Sequence, residues 1–119
     1  MAYRKAAELA EELLPANPED TELLTNLAHY HARLGDDEQA TRYLARALTA
    51  APDDVYAHYY AALVHLEAGR QKQALDEIRR TVELGYSKDL LSLDPQFAEL
   101  KDNENFIGLI EVPAQTAEH

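Results

Sequence analysis

Cysteine is absent from the 119 residues, which excludes a disulfide framework, a thiolate zinc site and a cysteine nucleophile. Long apolar runs are absent as well, since nowhere do the roughly 18 consecutive apolar residues needed to cross a membrane follow one another. Residues 1–14 are charged throughout and lack the apolar core of a secretion signal. The expectation is a cytoplasmic segment, unless a targeting signal lies upstream. Glycine is scarce, with Gly35, Gly69 and Gly85 at turns and Gly108 near the end. There is no phosphate-cradling glycine loop, no nucleophile elbow and no H-E-x-x-H. Positive charge is scarce too: 11 Lys and Arg stand against 22 Asp and Glu, for a net charge of −11. Such a surface repels nucleic acid and anionic membranes. It leaves two readings, a solvated helix surface that maintains solubility or a groove for a basic partner.

What is present suits one folded domain: apolar residues make up 46% of the chain and charged residues 28%, the balance of a soluble globular protein. Self-similarity organises it. A shift of 34 residues carries Pro18 to Pro52, Gly35 to Gly69, and Ala6 to Ala40 and then Ala74. The same shift carries Leu14 to Leu48 to Val82, Ala10 to Leu44 to Ile78, Ala28 to Ala62, and His31 to His65. These are the small or apolar positions that a packing repeat has to preserve.

Between these anchors the spacing is helical, with Leu24, Leu27, Ala28, His31 and Leu34, and again Leu44, Ala47, Leu48 and Ala51, at three- and four-residue steps. Breakers fall at Asn17-Pro18-Glu19-Asp20, Gly35-Asp36-Asp37, Ala51-Pro52-Asp53-Asp54 and Gly69-Arg70. Glycine ends a helix in the left-handed conformation and aspartate caps the next one. The spacing predicts helices over about 2–14, 21–34, 38–50, 55–68 and 71–84. Residues 87–111 break the pattern and are expected to form short helices, with Phe97, Leu100, Phe106, Leu109 and Ile110 turned inward as a cap. Residues 112–119 have no periodicity and are expected to form a flexible tail.

These residues resemble the tetratricopeptide repeat family, best over Thr21 to Asp54 through Leu24, Leu27, Ala28, Gly35, Ala40, Leu44, Ala47 and Pro52. A weaker copy runs from Val55 to about Tyr86, keeping Ala62, Gly69, Ala74 and Ile78 but with His58 where a large aromatic is favoured, Thr81 for Ala47 and no closing proline. Residues 1–20 look like the second half of a preceding repeat, as if cut from something longer. The resemblance implies an all-α, right-handed α-solenoid of antiparallel helix pairs with short C-terminal capping helices. Its divisions are a half repeat at 1–20, repeats at 21–54 and 55–86, and a cap at 87–111, in a single domain over 1–111. The ending also looks like the segment that closes such arrays in some bacterial multidomain proteins, where kinase, cyclase or DNA-binding modules lie upstream.

In that family the first helix of each repeat lines a concave groove that takes a peptide or partner protein. Register places Glu22, Asn26, His29 and Arg33 on one stripe and Tyr56, Tyr60, Leu63 and Glu67 on its shifted counterpart, with Thr25 and Tyr59 alongside. The expected contacts are Asn26, His29, Arg33, Tyr56, Tyr59, Tyr60 and Leu63. Tyrosine suits such a role as a large rigid contact with a polar tip, although the tyrosines can equally pack between helices and the polar stripe can equally be solvated. A full carboxylate clamp is not expected, because the second stripe supplies tyrosines and leucine instead of basic residues.

Chemistry is not expected. Residues four beyond His29, His58 and His65 are Arg33, Ala62 and Gly69, so no helix-borne metal pair forms. His29 and His31 point to opposite sides of a helix. His31 and His65 read as core histidines, and no cofactor is called for. A third possibility is self-association: helix 2–14 presents Ala6, Leu9, Ala10, Leu13 and Leu14, an apolar face suited to a homodimer contact.

Overall fold

The structure is a computed structural model and describes residues 2–111; the expected tail at 112–119 lies outside them. Five helices form the body: α1 (Ala2–Leu13), α2 (Thr21–Arg33), α3 (Asp37–Ala50), α4 (Val55–Glu67) and α5 (Gln71–Glu83). The closing segment holds α6 (Lys88–Leu93), a 3-10 turn at Pro95–Leu100 and α7 (Glu104–Ile110). No strand occurs among the described residues.

The boundaries follow local chemistry. Asp20 Oδ1 accepts from the amide of Leu23 at 3.1 Å, and Asp36 Oδ1 from that of Gln39 at 3.3 Å. Asp54 Oδ1 accepts from those of Tyr56 and Ala57 at 2.8 and 3.4 Å. Each aspartate satisfies amides that the first turn of its helix leaves unpaired. At the other ends, Gly35 and Gly69 share a φ of 83°, a conformation that side chains with a Cβ resist. That turn lets the Asp36 amide reach His31 O and the Arg70 amide reach His65 O, both at 2.8 Å. Two turns with the same geometry are the physical content of the 34-residue shift.

Two hairpins result, α2 with α3 and α4 with α5, and α2 lies beside α4. Helix α1 packs on α2, and α3 also touches α4. Arginine ties the turns between them: Arg46 donates to Pro18 O at 3.0 Å, and Arg80, its counterpart 34 residues on, donates to Asp53 at 2.8 Å. Arg70 grips Asp37 with two hydrogen bonds of 2.9 and 3.0 Å across the stack, and this forked pairing also holds the Asp37 carboxyl below the usual range.

Burial divides into two cores that share α4. Leu24, Leu27, Ala28, Leu44 and Ala47 pack with Ala61 and Val64 on one side of it. Ile78, Leu91, Phe97, Leu100 and Phe106 pack with Ala62, Leu63 and Leu66 on the other. The closing segment thus covers the second hairpin: Phe97, Leu100 and Phe106 are buried as expected, and Leu109 and Ile110 pack partly against them. Phe97 is the largest side chain in this seam and is fully enclosed. Phe97→Ala is expected to lower unfolding free energy by about 3–5 kcal/mol, read from urea denaturation; a loss below about 1 kcal/mol would mean that the closing segment is not part of the cooperative fold.

Candidate partner-binding groove

Helices α2 and α4 lie side by side, and the stripes identified by register meet along their seam. At one end an open cavity of about 460 Å³ is lined by Glu22, Thr25, Asn26, Asp54, Tyr56 and Tyr60. Its volume falls within the range of ligand sites. Tyr56 is 59% exposed and Asn26 and Tyr60 are half-buried, so three of the expected contact residues share this cavity. Thr25 is buried, its hydroxyl donating to Glu22 O at 3.0 Å.

The other end is closed by the chain itself. The Tyr59 hydroxyl donates to Asp94 Oδ2 at 2.5 Å and accepts from Gln96 Nε2 at 3.1 Å. Burial first, and then the Asp94 carboxylate, push this phenol far above its ordinary value. Asp94 Oδ1 meanwhile accepts from the Gln96 amide at 2.9 Å and starts the 3-10 turn that lies over this end. A recess of only about 60 Å³ remains there, with His29, Arg33, Leu63 and Gln96 among its walls. Leu63 departs from expectation: at 6% exposure it belongs to the second core and not to an accessible stripe. Register assigns Leu63 to the same face as Tyr60, but the returning chain covers that part of the face.

His29 and Arg33 flank this closed end. Arg33 pairs with Glu67 at 3.3 Å and lies 5.4 Å from the centre of the Tyr3 ring. His29 packs 5.6 Å from Tyr60 and 6.0 Å from Tyr3, ring centre to ring centre. Desolvation, reinforced by Arg33 and opposed by Glu67, holds its imidazole below the ordinary value. Through such contacts six of the seven tyrosines join one network: Tyr30 meets Tyr3, Tyr60 meets Tyr59, and Tyr86 meets both Tyr59 and Tyr56. Helical periodicity does not mark Tyr3, Tyr30, Tyr86, Asp94 or Gln96 as groove residues. Only Asp94-Pro95, an aspartate cap before a helix-starting proline, signalled the turn, and nothing in its spacing showed where it docks.

A family model of the tetratricopeptide repeat matches residues 3–54 and 25–85. The chain belongs to the tetratricopeptide repeat family. No curated protein matches it. Tetratricopeptide repeats generally mediate protein–protein interactions and are typically non-catalytic scaffolds. No helix among the described residues is long and apolar enough to cross a membrane. The histidines at equivalent positions of the two tetratricopeptide hairpins sit at helix seams. His31 stacks on Tyr43 and its Nε2 lies 3.1 Å from Glu11, while His65 Nδ1 accepts from Arg70 Nε at 2.9 Å.

His65, like His29, is held below its ordinary value, by burial first and then by Arg70. In both, folding disfavours the charged imidazole, so their contribution to stability is intact above the unfolded value of 6.5 and is lost as pH falls toward the lower folded value. Between about pH 7.5 and about pH 5.5 the double variant His29→Gln, His65→Gln should lose less stability than the parent chain. Equal losses in urea denaturation at the two pH values would contradict this.

Proposed function

We propose that this chain is a protein–protein interaction module that receives an extended peptide or a partner segment in the seam between α2 and α4, without catalysing a reaction. The observation that carries this reading is the open cavity of about 460 Å³ bordered by the exposed ring of Tyr56. Asn26, Tyr56 and Tyr60 are the primary contacts. Tyr56 and Tyr60 present rigid aromatic faces, and Asn26 supplies a donor and an acceptor for a peptide backbone. His29, Arg33 and Tyr59 act from the closed end, where their own contacts hold the floor and the boundary of the site.

A second reading has its own support. Leu9 and Leu13 on α1 are 51% and 57% exposed, and such a pair suits contact with a second copy.

Titration of the isotope-labelled chain with pooled peptides containing basic, aromatic and free-carboxylate members separates the two. Amides of residues 22–33 and 56–62 should shift together, and Tyr56→Ala should weaken the responding pool by about tenfold or more. Silence there, with α1 amides responding to protein concentration, would overturn groove binding in favour of assembly through Leu9 and Leu13.

A further inference from the structure

The open cavity has a definite electrostatic character. Its lining includes two acidic residues, Glu22 and Asp54, and two tyrosines, Tyr56 and Tyr60, and among the described residues no Lys, Arg or His lines it. Among the described residues no cation pairs with Glu22, and its side chain is exposed. Asp54 uses Oδ1 to cap α4, and its Oδ2 takes no part in that cap. Helices α2 and α4 hold one Lys or Arg between them, Arg33, and it pairs with Glu67 and lies over the Tyr3 ring at the closed end. The chain as a whole carries a charge of −11, which draws cations toward such a cleft and repels carboxylates.

We infer that the partner presents a cationic side chain to this cavity, an arginine in preference to a lysine, with its guanidinium over the Tyr56 and Tyr60 rings and its N–H groups on the Glu22 carboxylate. This rests on the reading of the seam as a peptide site and specifies what that site selects. Arginine fits better than lysine because a planar guanidinium stacks on tyrosine while it forks onto a carboxylate, and it is less strongly hydrated than an ammonium. Tyr60 serves this role in its neutral form. The Tyr60 phenol is raised above its ordinary value by burial, and the Tyr30 and Glu22 charges add to that. A phosphopeptide or a free C-terminal carboxylate meets the opposite conditions at this end of the groove, where Glu22 and Asp54 line the cavity and no cation among the described residues pairs with either.

The test uses the full chain and four short, end-blocked peptide pools that differ only in a fixed central residue: arginine, lysine, citrulline or glutamate. Affinities are read from amide shifts of Glu22, Asn26, Tyr56 and Tyr60. The arginine pool should bind about tenfold more tightly than the citrulline pool, its neutral counterpart of nearly the same shape. Glu22→Gln should weaken arginine binding more than citrulline binding and so shrink that ratio to about threefold or less. If the citrulline or glutamate pool shifts these amides as strongly as the arginine pool, cation selection is overturned and groove binding stands. If no pool shifts them, both are overturned.

Discussion

Ala28, Ala40, Ala47, Ala62 and Ala74 have no exposed surface and stand where helices of the stack meet. A larger side chain at any of them would force packed backbones apart, because interiors at crystal-like density have no slack to absorb added methyl groups. Close approach in turn sets what else the helices can bury. With small residues at the seams, Leu24, Leu27 and Ile78 reach across and are enclosed. Helix α4 stands between both cores and is apolar around most of its circumference, the pattern of a helix covered on more than one side. One of those sides would face water if the closing segment were not laid over it.

That covering decides the form of the groove. The α2 and α4 seam runs the length of both helices, but Phe97 anchors the closing segment in the second core and Tyr59 holds Asp94 and Gln96 against the inner face of α4. Cap and groove are therefore not separate parts. The residues that seal the apolar end of the stack also close one end of the seam and leave open the end that carries Glu22, Asp54, Tyr56 and Tyr60. Charge is sorted along the same line, with Arg33 paired to Glu67 at the closed end and, among the described residues, no cation paired with Glu22 at the open one.

The helices were legible in the sequence to within about one residue, because aspartate caps and positive-φ glycines act locally and recur at a fixed shift. The inward residues of the cap were legible for a similar reason: Phe97, Leu100 and Phe106 are too apolar to leave in water. The groove was only partly legible. Periodicity states which residues share a face of a helix, and Asn26, Tyr56 and Tyr60 line one cavity. It does not state what covers that face, so it leaves Leu63 on an accessible stripe and does not mark Asp94 or Gln96. The composition of α4 did contain a clue. Ala57, Ala61, Ala62, Leu63, Val64 and Leu66 leave too little polar surface for a helix with one exposed side.

Closure of one end of the seam requires the closing segment to lie against α4 in solution, and ring-proton contacts measured by nuclear Overhauser spectroscopy on the intact chain test this most directly. The ring centres of Tyr59 and Phe97 lie 5.7 Å apart, edge to face, and the Gln96 side-chain amide lies 3.1 Å from the Tyr59 hydroxyl oxygen. Strong cross-peaks from the Tyr59 ring to both Phe97 and the Gln96 amide are the predicted result. Their absence, with Tyr59 contacting only residues of α2, α4 and α5, would mean that the seam is open along its whole length and that the division between a closed and an open end is wrong.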